Sequence, residues 1–310
     1  MSFMYINPGY GNFLDVAGAT TVESAKYNPY GGVSFWQAAN TDAGITLPEV
    51  PTEIYLKTSV AIRGGNSATA NARVYAGNSN GWTIRESSGT WYLDIACGNT
   101  NIKNLSNADT NLNFNGMNDI LLHAEYGYYE AGVFSLTVNG TEVFSANRTV
   151  KFTKDSSYAT PSDVVVLYSK NEKVLLSNII VSDTEVGCKE QVAILPATAT
   201  DTDMTANGDG SYTATAAGQR FMQTIDASSL VAEYGGASNV TGLYIFGNPA
   251  YCTGAEITKA ILCAKKDGAV TELATTTLTT DSTAMALIGG RVEMTLSDLE
   301  GYELGWKAGV

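Results

Sequence analysis

The sequence has few of the residues on which common catalytic and metal sites depend. Its 310 residues include one histidine and four cysteines, and only 16% are Asp, Glu, Lys or Arg. No GxSxG, HExxH, GxxxxGKS/T or GxGxxG string is present, so the motifs of serine hydrolases, zinc proteases and nucleotide-binding proteins are missing. We therefore expect a protein that is not an enzyme, with no cofactor and no bound metal.

Basic residues and long apolar runs are also scarce. There are 18 Lys and Arg against 31 Asp and Glu, giving a net charge of −13, and Lys265-Lys266 is the only basic cluster. Phosphate binding needs a basic patch, so we expect no nucleic-acid partner. No run approaches the roughly 18 apolar residues of a membrane helix. The amino terminus, MSFMYINPGYGNF, has no basic region followed by an apolar stretch, so we expect neither a secretory signal nor membrane insertion.

The cysteines and the histidine favour structural roles. Cys97, Cys188, Cys252 and Cys263 are widely spaced and never form CxxC, which favours free buried thiols over disulfides. His123 lies in an apolar stretch with no catalytic string around it, which favours a structural histidine.

What the sequence does contain is β-strand alternation punctuated by turn pairs. In Val133 to Ser145 (VFSLTVNGTEVFS), apolar and polar side chains alternate on both sides of Asn139-Gly140. Asn-Gly tolerates positive φ at both central positions of a type I′ turn, so this stretch predicts a β-hairpin. Further strands are predicted at Asp119 to Tyr126, Asp163 to Tyr168 and Lys173 to Ser182, which together indicate an antiparallel sheet.

The order of these strands, ending in Leu176 to Thr184 (LSNIIVSDT), resembles the closing half of a laminin-G or concanavalin-A-like jelly roll. It is also similar to a form found in tail and virion structural proteins of bacteriophages and prophages. The resemblance implies an all-β fold, with an antiparallel jelly-roll sandwich at 1–187 and a smaller β-rich domain at 188–310. In the second domain, Asp267-Gly268 predicts another hairpin, and Ser297-x-x-Glu300 predicts a helical capping box.

The same resemblance implies a non-enzymatic, tail-associated structural or adhesion protein. Its expected partners are other virion or tail proteins, with a host-surface glycan as a further possibility. We expect a homo-oligomer that is made in the bacterial cytoplasm and located in the virion. Jelly rolls of this class also include glycoside hydrolases, but their Glu-x-Asp-x-x-Glu string is absent. Two alternatives stay open: a carbohydrate-binding lectin-like module outside a virion, and a hydrolase with unfamiliar acids.

Aromatic residues are the candidate ligand-binding groups. An exposed platform could be formed by Trp82, Trp91, Tyr126, Tyr128 and Tyr129, of which the three tyrosines lie in the loop that leads into the predicted Asn139-Gly140 hairpin. Packing against a neighbouring subunit would use the same residues. Asp183, Asp201, Asp203 and Asp209 could supply oxygens to calcium on a rim, but such residues are more often solvated in turns, so no metal site is predicted.

Overall fold

The computed structural model describes most of the chain. The described residues are 3–7, 19–22, 34–37, 43–45, 53–63, 69–75, 79–97, 100–125, 132–148, 165–169, 174–193, 195, 197–247, 250–254, 256–282 and 286–310. Within these ranges, no helix is both long and apolar enough to cross a membrane.

The chain divides into two compact units, Ser2–Ile194 and Leu195–Val310. The sequence-based boundary between 187 and 188 falls slightly earlier than this division. The difference arises because Cys188 and Gln191 still contact the sheet of the first unit.

The first domain consists of two antiparallel sheets. Its strands are β1 (Phe3–Asn7), β2 (Ala19–Val22), β3 (Ser34–Gln37), β4 (Ala43–Ile45), β5 (Glu53–Ile62), β6 (Thr69–Tyr75), β7 (Ser79–Ser87), β8 (Thr90–Cys97), β9 (Thr100–Ser106), β10 (Met117–Glu125), β11 (Gly132–Val138), β12 (Thr141–Arg148), β13 (Val165–Ser169) and β14 (Val174–Ser182). The large sheet has the order β12-β11-β10-β5-β14-β3-β2, with β1 also paired to β14. The facing sheet has the order β4-β13-β6-β7-β8-β9.

One apolar core joins the two sheets, and strict alternation decides which side chains enter it. On β10, even-numbered residues such as Ile120 and Leu122 are buried, while odd-numbered ones are half-buried on the other face. On β5, Ile54 and Leu56 enter the same core, which also contains Trp82 from the facing sheet. Because side chains alternate with period two, each strand of the large sheet has a core face and an outer face.

The predicted central hairpin is confirmed. Val138 pairs with Thr141 across Asn139-Gly140, and these turn residues have φ values of 53° and 83°. Both angles are in the positive region that a type I′ turn requires and that Asn and Gly adopt at low cost. The hairpin at Asp267-Gly268 is confirmed in the same way, with φ values of 52° and 82°.

A covering segment, residues 183–193, follows β14 and lies against the outer face of the large sheet. Its Gln191 amide donates to Asp119 Oδ1 at 3.0 Å, and the Cys188 thiol donates to the Asp119 carbonyl at 3.4 Å. Burial raises the pKa of this thiol. Cys188, Cys252 and Cys263 are free, as predicted, and Cys252 and Cys263 are also buried, whereas Cys188 is half-buried. The side chain of Cys97 lies outside the described part of the chain.

The second domain is also mainly β. Its elements are β15 (Ala197–Thr202), β16 (Thr205–Ala206), β17 (Tyr212–Thr213), β18 (Arg220–Ile225), α1 (Ser228–Tyr234), β19 (Asn239–Gly247), β20 (Lys259–Lys266), β21 (Ala269–Thr277), β22 (Ala286–Thr295), α2 (Leu296–Leu299) and β23 (Glu303–Gly309). A five-stranded antiparallel sheet has the order β15-β18-β23-β20-β21, and β16 pairs with β17 and β19 with β22. The predicted fold class, an antiparallel jelly-roll sandwich followed by a smaller β-rich domain, is thus confirmed.

The capping box of α2 exists, but it begins two residues earlier than Ser297. Thr295 Oγ1 accepts a hydrogen bond from the Asp298 amide at 3.3 Å, and Asp298 Oδ2 accepts from the Thr295 amide at 2.7 Å. These hydrogen bonds lower the pKa of Asp298. An aspartate at the third helical position therefore fills the role that the sequence pattern gave to Glu300.

We expect Thr295→Val to weaken the helix start by about 1 kcal/mol, because it leaves the Asp298 amide without its acceptor. Faster amide hydrogen exchange in 295–303, measured by mass spectrometry, would show this. Ser297→Ala is the matched control and should leave the exchange unchanged. Equal acceleration by both substitutions would contradict the assignment of the cap to Thr295.

Candidate functional site

The five aromatic residues predicted from the sequence do not form a described platform. Trp82 and Trp91 belong to the core of the first domain, with only 1% and 8% of their surface exposed. Trp91 also stacks on Phe114 with the ring centroids 5.8 Å apart. Neither indole is available to a ligand, which corrects the expectation at these two positions. Tyr126, Tyr128 and Tyr129 lie outside the described residues.

A different group of side chains comes together on the outer face of the large sheet. Strands β5 and β10 pair antiparallel, with Glu53 opposite Glu125 and Tyr55 opposite His123. Residues two apart on a strand point to the same side, so these four side chains share one face. We call them the outer-face cluster. The core-facing neighbours Ile54 and Ala124 hold the two strands in this register.

The cluster is tightly connected. His123 Nε2 lies 2.9 Å from Glu53 Oε1, and the Tyr55 hydroxyl donates to the same oxygen at 2.6 Å. The imidazole and phenol rings are stacked, with centroids 4.3 Å apart and planes 3° from parallel. Glu125 Oε2 accepts a hydrogen bond from the Val133 amide at 3.3 Å. The contacts limit the rotamers available to each side chain, so the site is preorganised.

The cluster combines negative charge with access from solvent. The Glu53 side chain is 40% exposed and the His123 side chain 18% exposed, whereas Tyr55 is largely buried. Burial and the adjacent Glu53 carboxylate raise the pKa of Tyr55, so its hydroxyl stays protonated and acts as a donor. Among the described residues, His123 is the only basic side chain that pairs with either carboxylate of the cluster.

Three residues of the cluster could also bind a metal ion, and they form the group of possible metal ligands found among the described residues. One ligand atom each from Glu53, His123 and Glu125 lies within 4.8 Å of the other two. The aspartates considered from the sequence do not form such a group. Asp201 lies near Arg220 and Lys265, at 3.7 and 3.6 Å, and Asp209 accepts hydrogen bonds from Ser211.

Sequence reasoning assigned His123 a structural role and did not associate it with Glu53. The available signal was the i, i+2 spacing within each strand: Glu53 with Tyr55, and His123 with Glu125. Each pair predicts two polar side chains on one face. What joins the pairs is the β5–β10 register, which long-range strand pairing sets and local sequence does not reveal.

No protein-family model matches the chain, and no curated protein sequence matches it. Several solved structures are similar at low identity. An endo-β-1,4-glucuronan lyase from the fungus Trichoderma reesei is 10% identical, with a TM-score of 0.40 over 61% of this chain and 100% of the lyase.

Two further neighbours are proteins of other kinds. The binding domain of botulinum neurotoxin serotype D is 12% identical, with a TM-score of 0.38 over 61% of this chain and 49% of that one. A galectin from Caenorhabditis elegans is 10% identical, with a TM-score of 0.31 over 52% of this chain and 99% of the galectin. None of these three is a phage tail protein. The three TM-scores are all below 0.5, so these similarities do not indicate a function for the chain.

Proposed function

We propose that the chain is a carbohydrate-binding, lectin-like module whose ligand contacts the outer-face cluster. The observation that carries the proposal is the convergence of two carboxylates, an imidazole and a tyrosine hydroxyl at one partly exposed position on a rigid sheet. Sites on regular strands hold their side chains more accurately than sites on loops. The cluster thus has the rigidity that selective binding requires.

The chemistry of the cluster favours a ligand rich in hydroxyl groups. The carboxylates accept hydrogen bonds, and His123 donates or accepts according to its tautomer. A saccharide presents several hydroxyls that act both as donors and as acceptors. The side chains of the cluster can therefore satisfy adjacent hydroxyls of one sugar ring.

While no cation is bound, the charge of the cluster narrows the ligand class to neutral saccharides. Glu53 and Glu125 repel a uronate or sulfate group, and no described Lys or Arg pairs with them to compensate. The net charge of −13 also repels anionic glycans, over longer distances. Tyr126, the first of the predicted aromatic ligands, follows Glu125 directly in sequence. Contact between the three tyrosines and the ligand stays a prediction.

Binding to a panel of neutral and anionic glycans tests the proposal. We expect saturable binding of a neutral glycan, weakened roughly tenfold or more by Glu125→Gln or His123→Gln, since the first removes a charged acceptor and the second removes the imidazole from the contact with the ligand. Glu142→Gln is the matched control, because Glu142 is an exposed acid on β12 of the same sheet. It should bind as the unaltered protein does.

Two outcomes would contradict the proposal. The first is the absence of binding to every neutral glycan by protein with an intact circular-dichroism spectrum. The second is binding that both cluster substitutions leave unchanged. Turnover of a polysaccharide in a reducing-sugar assay would show that the chain is an enzyme instead of a binding module.

The observations that support carbohydrate binding do not bear on whether the protein belongs to a virion. The location in a tail, association with other tail proteins and homo-oligomerisation stay predictions from the resemblance of the strand pattern. A carbohydrate-binding module could act within a tail or outside one. Immunogold labelling of particles from the source culture separates the two, since labelled tails would place the module in a virion.

A further inference from the structure

We infer that Glu53, His123 and Glu125 bind one divalent transition-metal ion of the zinc type. The inference rests on the geometry of the three side chains and does not depend on carbohydrate binding. It also reverses the expectation from the sequence, which predicted no metal site.

The spacing of the ligand atoms fits a shared ion. Zinc is held by nitrogen and oxygen ligands at about 2.0–2.2 Å in tetrahedral geometry, so two ligand atoms of one ion lie roughly 3.3–3.6 Å apart. The three atoms here are already within 4.8 Å of one another, and His123 Nε2 is 2.9 Å from Glu53 Oε1. Small side-chain rotations therefore bring all three atoms to coordination distance without moving either strand.

The strand register supplies an independent reason for a cation. Glu53 and Glu125 are directly opposite each other on paired strands, and like charges in that position destabilise a sheet. An ion between the carboxylates converts this repulsion into attraction. Within the described residues, no lysine or arginine already performs that role for either carboxylate.

Tyr55 supports the ligands without being one of them. Its hydroxyl donates to Glu53 Oε1 at 2.6 Å, and its ring packs against the His123 imidazole. Hydrogen bonds of this kind orient metal ligands and contribute strongly to affinity. The exposure of the Glu53 side chain provides a path for the ion from solvent.

The ligand set identifies the class of metal. One imidazole and two carboxylates suit zinc and its neighbours in the first transition row, whereas calcium takes oxygen ligands alone and needs six to eight of them. Three protein ligands also leave positions open on the ion. A bound zinc-type ion would therefore be accessible to water or to a ligand's hydroxyls.

Isothermal titration calorimetry with zinc chloride alone, without saccharide, tests this inference. We expect one zinc ion per chain at pH 7.5, with affinity reduced about 100-fold by His123→Gln or Glu125→Gln, and unchanged in Glu142→Gln. Calcium chloride should give no comparable binding. Circular dichroism of each variant checks that the fold is retained.

Failure of zinc to bind the unaltered protein would overturn the inference. Equal zinc binding by all variants would also overturn it, because the ion would then be held elsewhere, for instance by the free thiols. Calcium binding as tight as zinc binding would contradict the role of the imidazole. Since glycan binding is measured separately, any of these results leaves the carbohydrate proposal standing.

Discussion

Replacing Asp119 with leucine is expected to destabilise the first domain by about 3–5 kcal/mol, because it leaves a buried ammonium group without its counter-charge. Lys57 is fully buried, and its Nζ lies 2.9 Å from Asp119 Oδ1. Burial lowers the pKa of Lys57, and the Asp119 carboxylate opposes that effect. The pair therefore holds a charge in a place where an isolated one is unfavourable.

The network around this pair explains why the loss extends beyond one contact. Ser59 Oγ accepts from Lys57 Nζ at 2.6 Å and donates to Asp119 Oδ1 at 2.7 Å. The Gln191 amide also donates to Asp119, which attaches the covering segment to the sheet. Without the carboxylate, the hydroxyl and the amide both lose an acceptor in a buried region.

Urea unfolding followed by circular dichroism measures this effect, and a double variant separates its causes. Lys57→Met with Asp119→Leu removes both charges, so it should be clearly more stable than Asp119→Leu alone. A double variant as unstable as the single one would contradict the account. In that case the cost would come from packing or from the covering segment, and not from the unpaired ammonium.

Replacing Trp82 with alanine should also cost about 3–5 kcal/mol, because it empties a large volume in the shared core. Trp82 is only 1% exposed and lies on β7, opposite Ala72 on one side and Ile95 on the other. All three residues belong to the same core cluster. The surrounding strands are hydrogen-bonded to each other and cannot close around the cavity.

Thr83→Ala is the matched control for Trp82, since Thr83 is the next residue and points to the opposite face. It should change stability by no more than about 0.5 kcal/mol. The two variants are compared by the midpoint of urea unfolding. If Trp82→Ala retained its stability and instead lost glycan binding, the indole would be a ligand platform, as the sequence first suggested.

The hairpins show how much of the fold local sequence can determine. Asn139-Gly140 and Asp267-Gly268 each provide two residues that accept positive φ, so the turn type and the pairing of the flanking strands follow from a dipeptide. The start of α2 is harder to predict, because Thr295-x-x-Asp298 and Ser297-x-x-Glu300 both fit the capping-box pattern. The structure has the box at Thr295 and Asp298.

The candidate site could not be predicted from local sequence patterns. Alternation indicates that two faces exist, but it does not say which face meets the other sheet, so Trp82 and Trp91 could be read as exposed. Glu53 and His123 are far apart in the chain and meet only through the β5–β10 pairing. Long-range register arises from burial of the whole sheet, which no short motif encodes.

The central claim is that the ligand binds at the outer-face cluster, and the single histidine provides a direct test. Because His123 is the only histidine, its imidazole signals in an NMR spectrum need no assignment. Titration with the neutral glycan selected from the panel should shift these signals, with half of the total shift reached when the free glycan concentration equals the Kd measured by calorimetry. A glycan that binds by calorimetry while the His123 signals stay in place would contradict the claim and locate the binding site elsewhere.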